Sequence, residues 1–156
     1  MPQLEATLAP SEPGDALEVD ELWSVVGRRR LGVVWLWLAL CRRTRQIVAY
    51  ALGARNDATA RLLWQRIPAA YRAGTLHTDH LESDHNVFPA RQHYATYGRG
   101  PTHHIERFNN TLRQRLGRLT RKTLSFSKCP ILHESVIRLF LHSYNLERLQ
   151  TISILK

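Results

Sequence analysis

Three acidic residues in this sequence have the types and positions that metal-dependent chemistry needs. Asp20 lies within a predicted strand, Asp79 directly follows another, and Glu106 lies in the first turns of a predicted long helix. Three carboxylates brought close together repel one another strongly unless cations lie between them. Carboxylate oxygens suit Mg²⁺ or Mn²⁺, and two such ions can activate an attacking oxygen and stabilise a leaving one in phosphoryl transfer. We therefore predict that Asp20, Asp79 and Glu106 bind two divalent ions and are the catalytic residues.

Each acid also has an ordinary structural explanation. Asp20 fits an exposed strand position, Asp79 fits a turn or a helix cap, and Glu106 fits a first-turn glutamate favoured by the helix dipole. Their joint placement on three elements, in a chain with few other acids, favours the metal site over three separate explanations.

The predicted long helix carries further polar side chains that suit nucleic acid. Arg113 lies seven residues after Glu106, two turns on along the same helix face, and Asn110 lies one turn on. A carboxylate, an amide and a guanidinium in a row can contact metal, sugar-phosphate and phosphate along a DNA backbone. The candidate DNA-binding residues are Asn110, Arg113, Arg107, Arg121 and Lys122. An amphipathic helix with a solvated basic face is the alternative.

The charge distribution points to the same class of partner. The formal net charge is +9, yet residues 1–21 contain six of the 13 acids and no base. Residues 22–156 hold all 22 bases, of which 19 are arginine, and only seven acids. A body this basic attracts a polyanion, because neutralising phosphates releases counterions. A solvated basic surface is the alternative.

Cysteine usage and hydropathy indicate the compartment. Cys41 and Cys129 are isolated, which gives no support to a zinc knuckle and favours a reducing cytosol. The longest apolar run, Val33 to Cys41, is far shorter than the ~20 residues that span a bilayer. We expect a soluble, cytoplasmic protein with no membrane association.

Periodicity predicts the elements that position these residues. Residues 1–16 read as a disordered acidic tail, and 17–150 as one domain. Alternating and apolar runs predict three antiparallel strands over 17–26, 31–41 and 46–52. A helix capped by Asn56 follows, then a strand at 75–78, an irregular region with a short strand near 92–96, and helices over 102–119 and 133–149. This order indicates an α/β fold with a mixed sheet flanked by helices, as in the RNase H-like fold.

One long segment resembles a known family. The stretch from Thr102 to Lys128 resembles the C-terminal part of the IS-one family of insertion-sequence transposases, whose pattern reads RIERxNxxLRQxLxRLxRKxLSFSK. The strand from Glu18 to Trp23 resembles the family's EMDEQW, and His77 to Asp79 resembles its MTD. The likeness runs from about residue 18 to residue 145.

The resemblance implies a DDE-type recombinase with an RNase H-like core. Asp20, Asp79 and Glu106 match the catalytic acids, and Arg113 matches the basic residue seven places after the glutamate. Such enzymes hydrolyse a phosphodiester at the end of the element, and the freed 3′-hydroxyl attacks target DNA. The partners implied are double-stranded DNA at the element ends and the target, and further copies of the chain on DNA. A bacterial-type, nucleoid-associated location follows from that role.

The chain also departs from the family pattern. His80 stands where the family usually has Gly, and residues 81–87 diverge, so a transition-metal cluster of His77, His80 and His85 is an alternative use of this region. Full-length family members carry an N-terminal zinc-binding and helix-turn-helix region, whereas only an acidic tail precedes Asp20. We expect a downstream-frame product that joins with an upstream DNA-binding region.

Two other functions remain open at this stage. One is a transposase remnant or regulator that binds DNA without cutting it, and the other is a different RNase H-like nuclease. The three acids favour a catalytic transposase over the remnant, and the arginine-rich helix disfavours the unrelated nuclease.

Overall fold

A mixed sheet with helices on both faces forms the body of the chain. The computed structural model describes residues 3–27, 32–79, 81–96, 100–120 and 125–154. The strands are β1 (Ala16–Val25), β2 (Val33–Cys41), β3 (Ile47–Gly53), β4 (Thr75–Thr78) and β5 (His93–Ala95). The helices are α1 (Asp57–Arg66), α2 (Ala69–Arg72), α3 (Glu82–Val87), α4 (His103–Arg115) and α5 (Pro130–Ile154).

The strand order is β3-β2-β1-β4-β5. The first three strands form the predicted antiparallel meander, with Leu22 opposite Leu36 in β1 and β2. After α1 and α2 the chain returns beside β1, and β4 pairs with it in parallel, with Glu18 opposite His77. β5 then pairs in parallel with β4. The predicted α/β class and mixed sheet are confirmed, and the arrangement is consistent with an RNase H-like fold.

Alternation along the central strands creates two hydrophobic cores. On one face of the sheet, Leu22, Leu36 and Leu38 are almost fully buried in a cluster with residues of α4 and α5. On the other face, Val19 and Trp37 are buried in a cluster with residues of α1. Successive side chains of a strand point to opposite faces, so each face of β1 carries its own set of functional neighbours.

The N-terminal segment, for which the sequence predicts a disordered acidic tail, makes several contacts with the rest of the chain. A short 3-10 helix, Leu4–Thr7, buries Leu4 and Thr7. The side-chain amide of Gln46 accepts a hydrogen bond from the Ala9 amide and donates one to the Thr7 carbonyl, at 2.8 and 2.7 Å. Arg43 pairs with Asp15, with 2.6 Å between Nε and Oδ1. Arg43 also pairs with Glu12, so a base distant in sequence binds two acids of this segment, a contact that local composition does not reveal.

The helices also differ from their predicted bounds. α4 ends at Arg115, and a 3-10 turn over Gly117–Leu119 replaces its predicted continuation while still burying Leu119. α5 begins at Pro130 and ends at Ile154, longer at both ends than predicted. α2 and α3, of four and six residues, were not predicted because helices this short show no periodicity. In the part of the chain that the structure describes, no helix has the length and apolarity to cross a bilayer.

Candidate active site

The parallel pairing of β1 with β4 places two of the predicted acids at matching positions. The last paired residues are Glu18 and His77. Asp20 and Asp79 each lie two residues further along their own strands, just where β4 ends at Thr78. Adjacent strands lie about 4.8 Å apart, so this pairing brings both aspartates to the same end of the sheet. Convergence of Asp20 and Asp79 therefore depends on the β1–β4 register.

Glu18 fixes the start of the helix that carries the third acid. Its buried carboxylate accepts hydrogen bonds at Oε2 from the backbone N–H groups of His104 and Ile105, both at 2.9 Å. Its Oε1 accepts from Arg42 Nε at 2.8 Å. The free N–H groups of a helix N-terminus and its dipole favour a carboxylate at this place. Because Glu18 lies two residues before Asp20, the same strand face anchors α4 and presents Asp20 to it.

All three predicted acids line a single open cleft at this end of the sheet. Its lining residues are Asp20, Glu21, Leu22, Trp35, Arg55, Asp79, Glu106, Asn109, Asn110 and Arg113. Asp79 and Glu106 are exposed, whereas Asp20 is half-buried. Asp20 accepts hydrogen bonds from Asn109 Nδ2 at 2.7 Å and from the Glu21 amide at 2.8 Å. Asp20 is thus held in place while Asp79 and Glu106 face solvent across the cleft.

The electrostatics of the cleft are those of crowded acids. Burial, followed by the charges of Glu21, Asp79 and Glu106, raises the pKa of Asp20 to about 7, against one opposing backbone hydrogen bond. A carboxyl whose pKa is raised by other carboxylates lacks sufficient compensating positive charge. A divalent cation would supply that charge.

Two acids in this region were not predicted as site residues. Glu21 is buried and pairs with Arg55, with 2.7 Å between Oε1 and Nε. Burial raises the pKa of Glu21, an effect that Arg55 opposes. Asp84 on α3 is 1% exposed, and burial followed by the charges of Glu21 and Asp79 raises its pKa to about 8. The signal for Glu21 was a buried acid directly beside Asp20 in β1, but strand alternation places its side chain on the opposite face of β1 from Asp20.

The predicted DNA-binding residues divide between two locations. Asn110 and Arg113 line the cleft with the acids, as the helical spacing from Glu106 predicts. Arg107 lies on another face of α4, beside Phe108 and Thr111 in a separate pocket. Arg121 and Lys122 lie outside the described residues.

The alternative histidine cluster receives no support from the two members that are described. The His77 ring stacks on Tyr94 with 5.5 Å between centroids, and the His85 ring lies 5.1 Å from that of His93. His80 lies outside the described residues. These contacts give His77 and His85 different aromatic neighbours.

A different group, Glu18, His103 and His104, has ligand atoms within 4.8 Å of one another. Among the described residues, no other group of three or more His, Cys, Asp or Glu side chains has its ligand atoms this close together. The carboxylates of Asp20, Asp79 and Glu106 are therefore more widely spaced. Both oxygens of Glu18 already accept hydrogen bonds, from Arg42 and from the start of α4. These bonds give Glu18 the role of positioning α4.

The donor set of the cleft fits a hard divalent cation. Asp20, Asp79 and Glu106 offer carboxylate oxygens, the ligands that Mg²⁺ and Mn²⁺ prefer. Among the described residues, Glu21 Oε2 and Asp84 Oδ1 are buried without a hydrogen-bond partner, so the acids behind the cleft also lack compensating donors. The acids therefore fit the metal that the sequence pattern implies.

Comparison with known proteins identifies the family. The IS1 transposase family matches residues 16–147. The insertion element iso-IS1n protein InsB of Shigella dysenteriae is 38% identical over 127 residues, which cover 81% of this chain and 94% of that protein. The insertion element IS1 protein InsB of Shigella flexneri is 37% identical over 128 residues, 80% of this chain and 92% of that protein. An IS1 InsB protein of Escherichia coli (strain K12) is 35% identical over 128 residues, 80% of this chain and 72% of that protein. This chain belongs to the IS1 transposase family.

Proposed function

We propose that residues 17–150 form the catalytic domain of a transposase that cuts and joins DNA in a metal-dependent reaction. The observation that carries the proposal is the meeting of Asp20, Asp79 and Glu106 in one cleft, from three separate elements, in a member of the IS1 transposase family. The similar proteins are named as products of insertion elements, so the proposed substrates are the ends of such an element and a target duplex.

The three acids would hold two Mg²⁺ or Mn²⁺ ions. When bound, the ions supply Lewis-acid stabilisation of the attacking and leaving oxygens. Asn109 fixes the Asp20 carboxylate through the 2.7 Å hydrogen bond, so this ligand is oriented in advance. Glu18 fixes the first turn of α4 and with it the position of Glu106.

Arg113 and Asn110 would position the DNA backbone. Both line the cleft on the face of α4 that carries Glu106. A guanidinium binds phosphate through two parallel hydrogen bonds, and an amide binds sugar or phosphate oxygens. These contacts align a phosphodiester beside the acids but read no base, so we expect sequence recognition to come from an upstream DNA-binding region.

The proposed reaction has two steps at phosphorus. Water attacks a phosphodiester at the element end, and the bond to the 3′-oxygen breaks to leave a 3′-hydroxyl and a 5′-phosphate. The 3′-hydroxyl then attacks a target phosphodiester, forming a new P–O bond while the target's own 3′-oxygen leaves with a proton. No protein side chain bonds to DNA in either step.

Substitution of Asp79 tests the proposal most directly. Asp79→Asn keeps the size of the side chain but removes one anionic ligand. We expect loss of strand transfer by at least about a hundredfold, the scale on which removal of a catalytic group acts, with DNA binding retained. The assay is Mg²⁺-dependent joining of a labelled element end to a plasmid, run with and without an upstream zinc-binding and helix-turn-helix region.

Glu82→Gln is the matched control, because this exposed acid on α3 does not line the cleft. It should leave strand transfer unchanged. Wild-type strand transfer by Asp79→Asn would remove Asp79 from the metal site. Inactivity of the wild-type chain under all conditions, with DNA binding intact, would favour a DNA-binding remnant or regulator instead.

A further inference from the structure

A second pocket lies beside α4, apart from the acid cleft, and it is rich in arginine. Its volume is about 320 Å³. Its lining residues are Leu40, Arg45, His104, Arg107, Phe108, Thr111, Arg115, Tyr144 and Arg148. Four guanidinium groups therefore come together from the turn between β2 and β3, from α4 and from α5.

The geometry of α4 separates this pocket from the acids. Glu106 and Arg113 line the cleft, whereas Arg107 and Arg115 line the pocket. At 3.6 residues per turn, the centres of these two pairs lie about 150° apart around the helix axis. The helix therefore stands between the two sites, and a group bound in the pocket does not touch the acids.

Arg45 is the residue of this pocket that the fold explains least. Its backbone has φ 62°, the left-handed region in which Gly or Asn is favoured and other residues are strained. Its Nη1 is buried and has no hydrogen-bond partner among the described residues. The turn between β2 and β3 accounts for this backbone, through the 2.8 Å hydrogen bond from the Arg45 amide to the Cys41 carbonyl. The buried guanidinium nitrogen has no such explanation, and an anionic ligand in the pocket would satisfy it.

Three arginines of this pocket lie close enough to the Tyr144 hydroxyl to affect its pKa. Burial raises the pKa of the Tyr144 hydroxyl, and the charges of Arg148, Arg115 and Arg45 each lower it. Arg148 also lies over the Tyr144 ring, 5.3 Å from its centroid. The neighbouring acid is Glu147, which pairs with Arg115 at 3.6 Å where both side chains are more than half exposed. One exposed acid offsets only part of the charge of four arginines.

We propose that this arginine pocket binds a phosphate of the DNA backbone that is not the one being cut. The inference rests on the proposed function, because it takes DNA as the substrate. The pocket combines planar donors suited to phosphate with the Thr111 hydroxyl and His104, and it holds the duplex at a second point across α4. Such a contact fixes the angle at which DNA approaches the acids.

Two substitutions test the pocket, and one of them separates binding from folding. Arg45→Gly removes the guanidinium and also relieves the left-handed backbone, so the folded state should be as stable as the wild type or more stable. Arg148→Gln removes a second arginine from α5. The control is Arg61→Gln on α1, which removes one charge at an exposed position away from the pocket.

Affinity for a short duplex is measured by fluorescence anisotropy in EDTA over a series of salt concentrations. Removal of metal makes the result independent of whether the cleft cuts DNA. Arg45→Gly and Arg148→Gln should each weaken binding about five- to tenfold and reduce the salt slope by about one. Arg61→Gln should change affinity less than about twofold.

Equal effects of all three substitutions would overturn the proposal, since they would reflect net charge alone. A fall in the unfolding midpoint of Arg45→Gly would also overturn it, because Arg45 would then be a structural residue. The last arm uses inorganic phosphate alone. One outcome is that phosphate raises the melting temperature of the wild type as much as the duplex does and leaves that of Arg45→Gly unchanged. In that case the pocket is a free-phosphate site and the DNA assignment is wrong.

Discussion

Replacement of Glu18 by Gln should destabilise the protein by about 2–4 kcal/mol. The wild-type carboxylate uses one oxygen for Arg42 and the other for two backbone N–H groups of α4. Glutamine has one carbonyl oxygen, so it loses either the arginine or the helix amides, and its own NH₂ then faces donors. A hydrogen bond to a charged group contributes about 1.5–3 kcal/mol, and a carboxylate at a helix N-terminus adds about 0.3–1 kcal/mol. Arg42 is 27% exposed, so its hydrogen bond to Glu18 contributes at the lower end of the range for charged groups.

The assay is equilibrium unfolding in urea, followed by tryptophan fluorescence, with hydrogen exchange of the His104 and Ile105 amides as a local readout. Both amides should exchange faster in Glu18→Gln, because the neutral amide oxygen of glutamine is a weaker acceptor than a carboxylate even where it keeps the bonds to the helix. The matched control is Glu147→Gln, whose carboxylate is more than half exposed at a surface ion pair, and which should change stability by no more than about 0.5 kcal/mol. A Glu18→Gln protein as stable as this control would refute the anchoring role.

Three further predictions concern titration and packing. Mg²⁺ affinity, measured by isothermal titration calorimetry, should fall about tenfold from pH 8 to pH 6, because the metal must displace the proton of Asp20, whose pKa is about 7; a flat profile would contradict this. Burial, then the charge of Arg118, lowers the pKa of His133 below 6.5, so its contribution to stability is complete above pH 6.5 and is lost as the pH falls below that value. His133→Gln should therefore reduce the fall of the urea unfolding midpoint as the pH drops below 6.5. Asn145→Ala should cost about 3 kcal/mol in the same assay, because the buried Asn145 amide satisfies both the N–H and the carbonyl of Ile47; a loss below about 1 kcal/mol would show that water replaces it.

Local patterns predicted most of the sheet and part of the site. β4 occupies Thr75–Thr78 as predicted, and Asn56 caps α1 by accepting a hydrogen bond from the Thr59 amide at 3.2 Å. These features depend on alternation and capping, which neighbouring residues determine. The helical spacing likewise placed Arg113 on the face that carries Glu106.

The missed parts of the site depend on contacts between distant segments. Alternation puts Glu21 on the opposite face of β1 from Asp20, and it reaches the cleft because the cleft lies at the sheet end. Asp84 belongs to a six-residue helix with no periodic signal, and its burial arises from packing against other elements. The arginine pocket joins Arg45 to Arg148, more than a hundred residues later, which spacing cannot predict.

The pairing of β1 with β4 also determines when in folding the cleft can form. The β1–β3 meander needs only short turns, whereas β4 must find β1 across nearly sixty residues, from Ala16 to Thr75. Closing a longer loop costs more chain entropy, so non-local parallel pairing is slow compared with a hairpin. During synthesis, Asp20 is therefore in a formed sheet before Asp79 can join it, and Glu106 arrives last. A partly made chain would have the meander without the complete acid set, so the cleft would stay incomplete until α4 has docked.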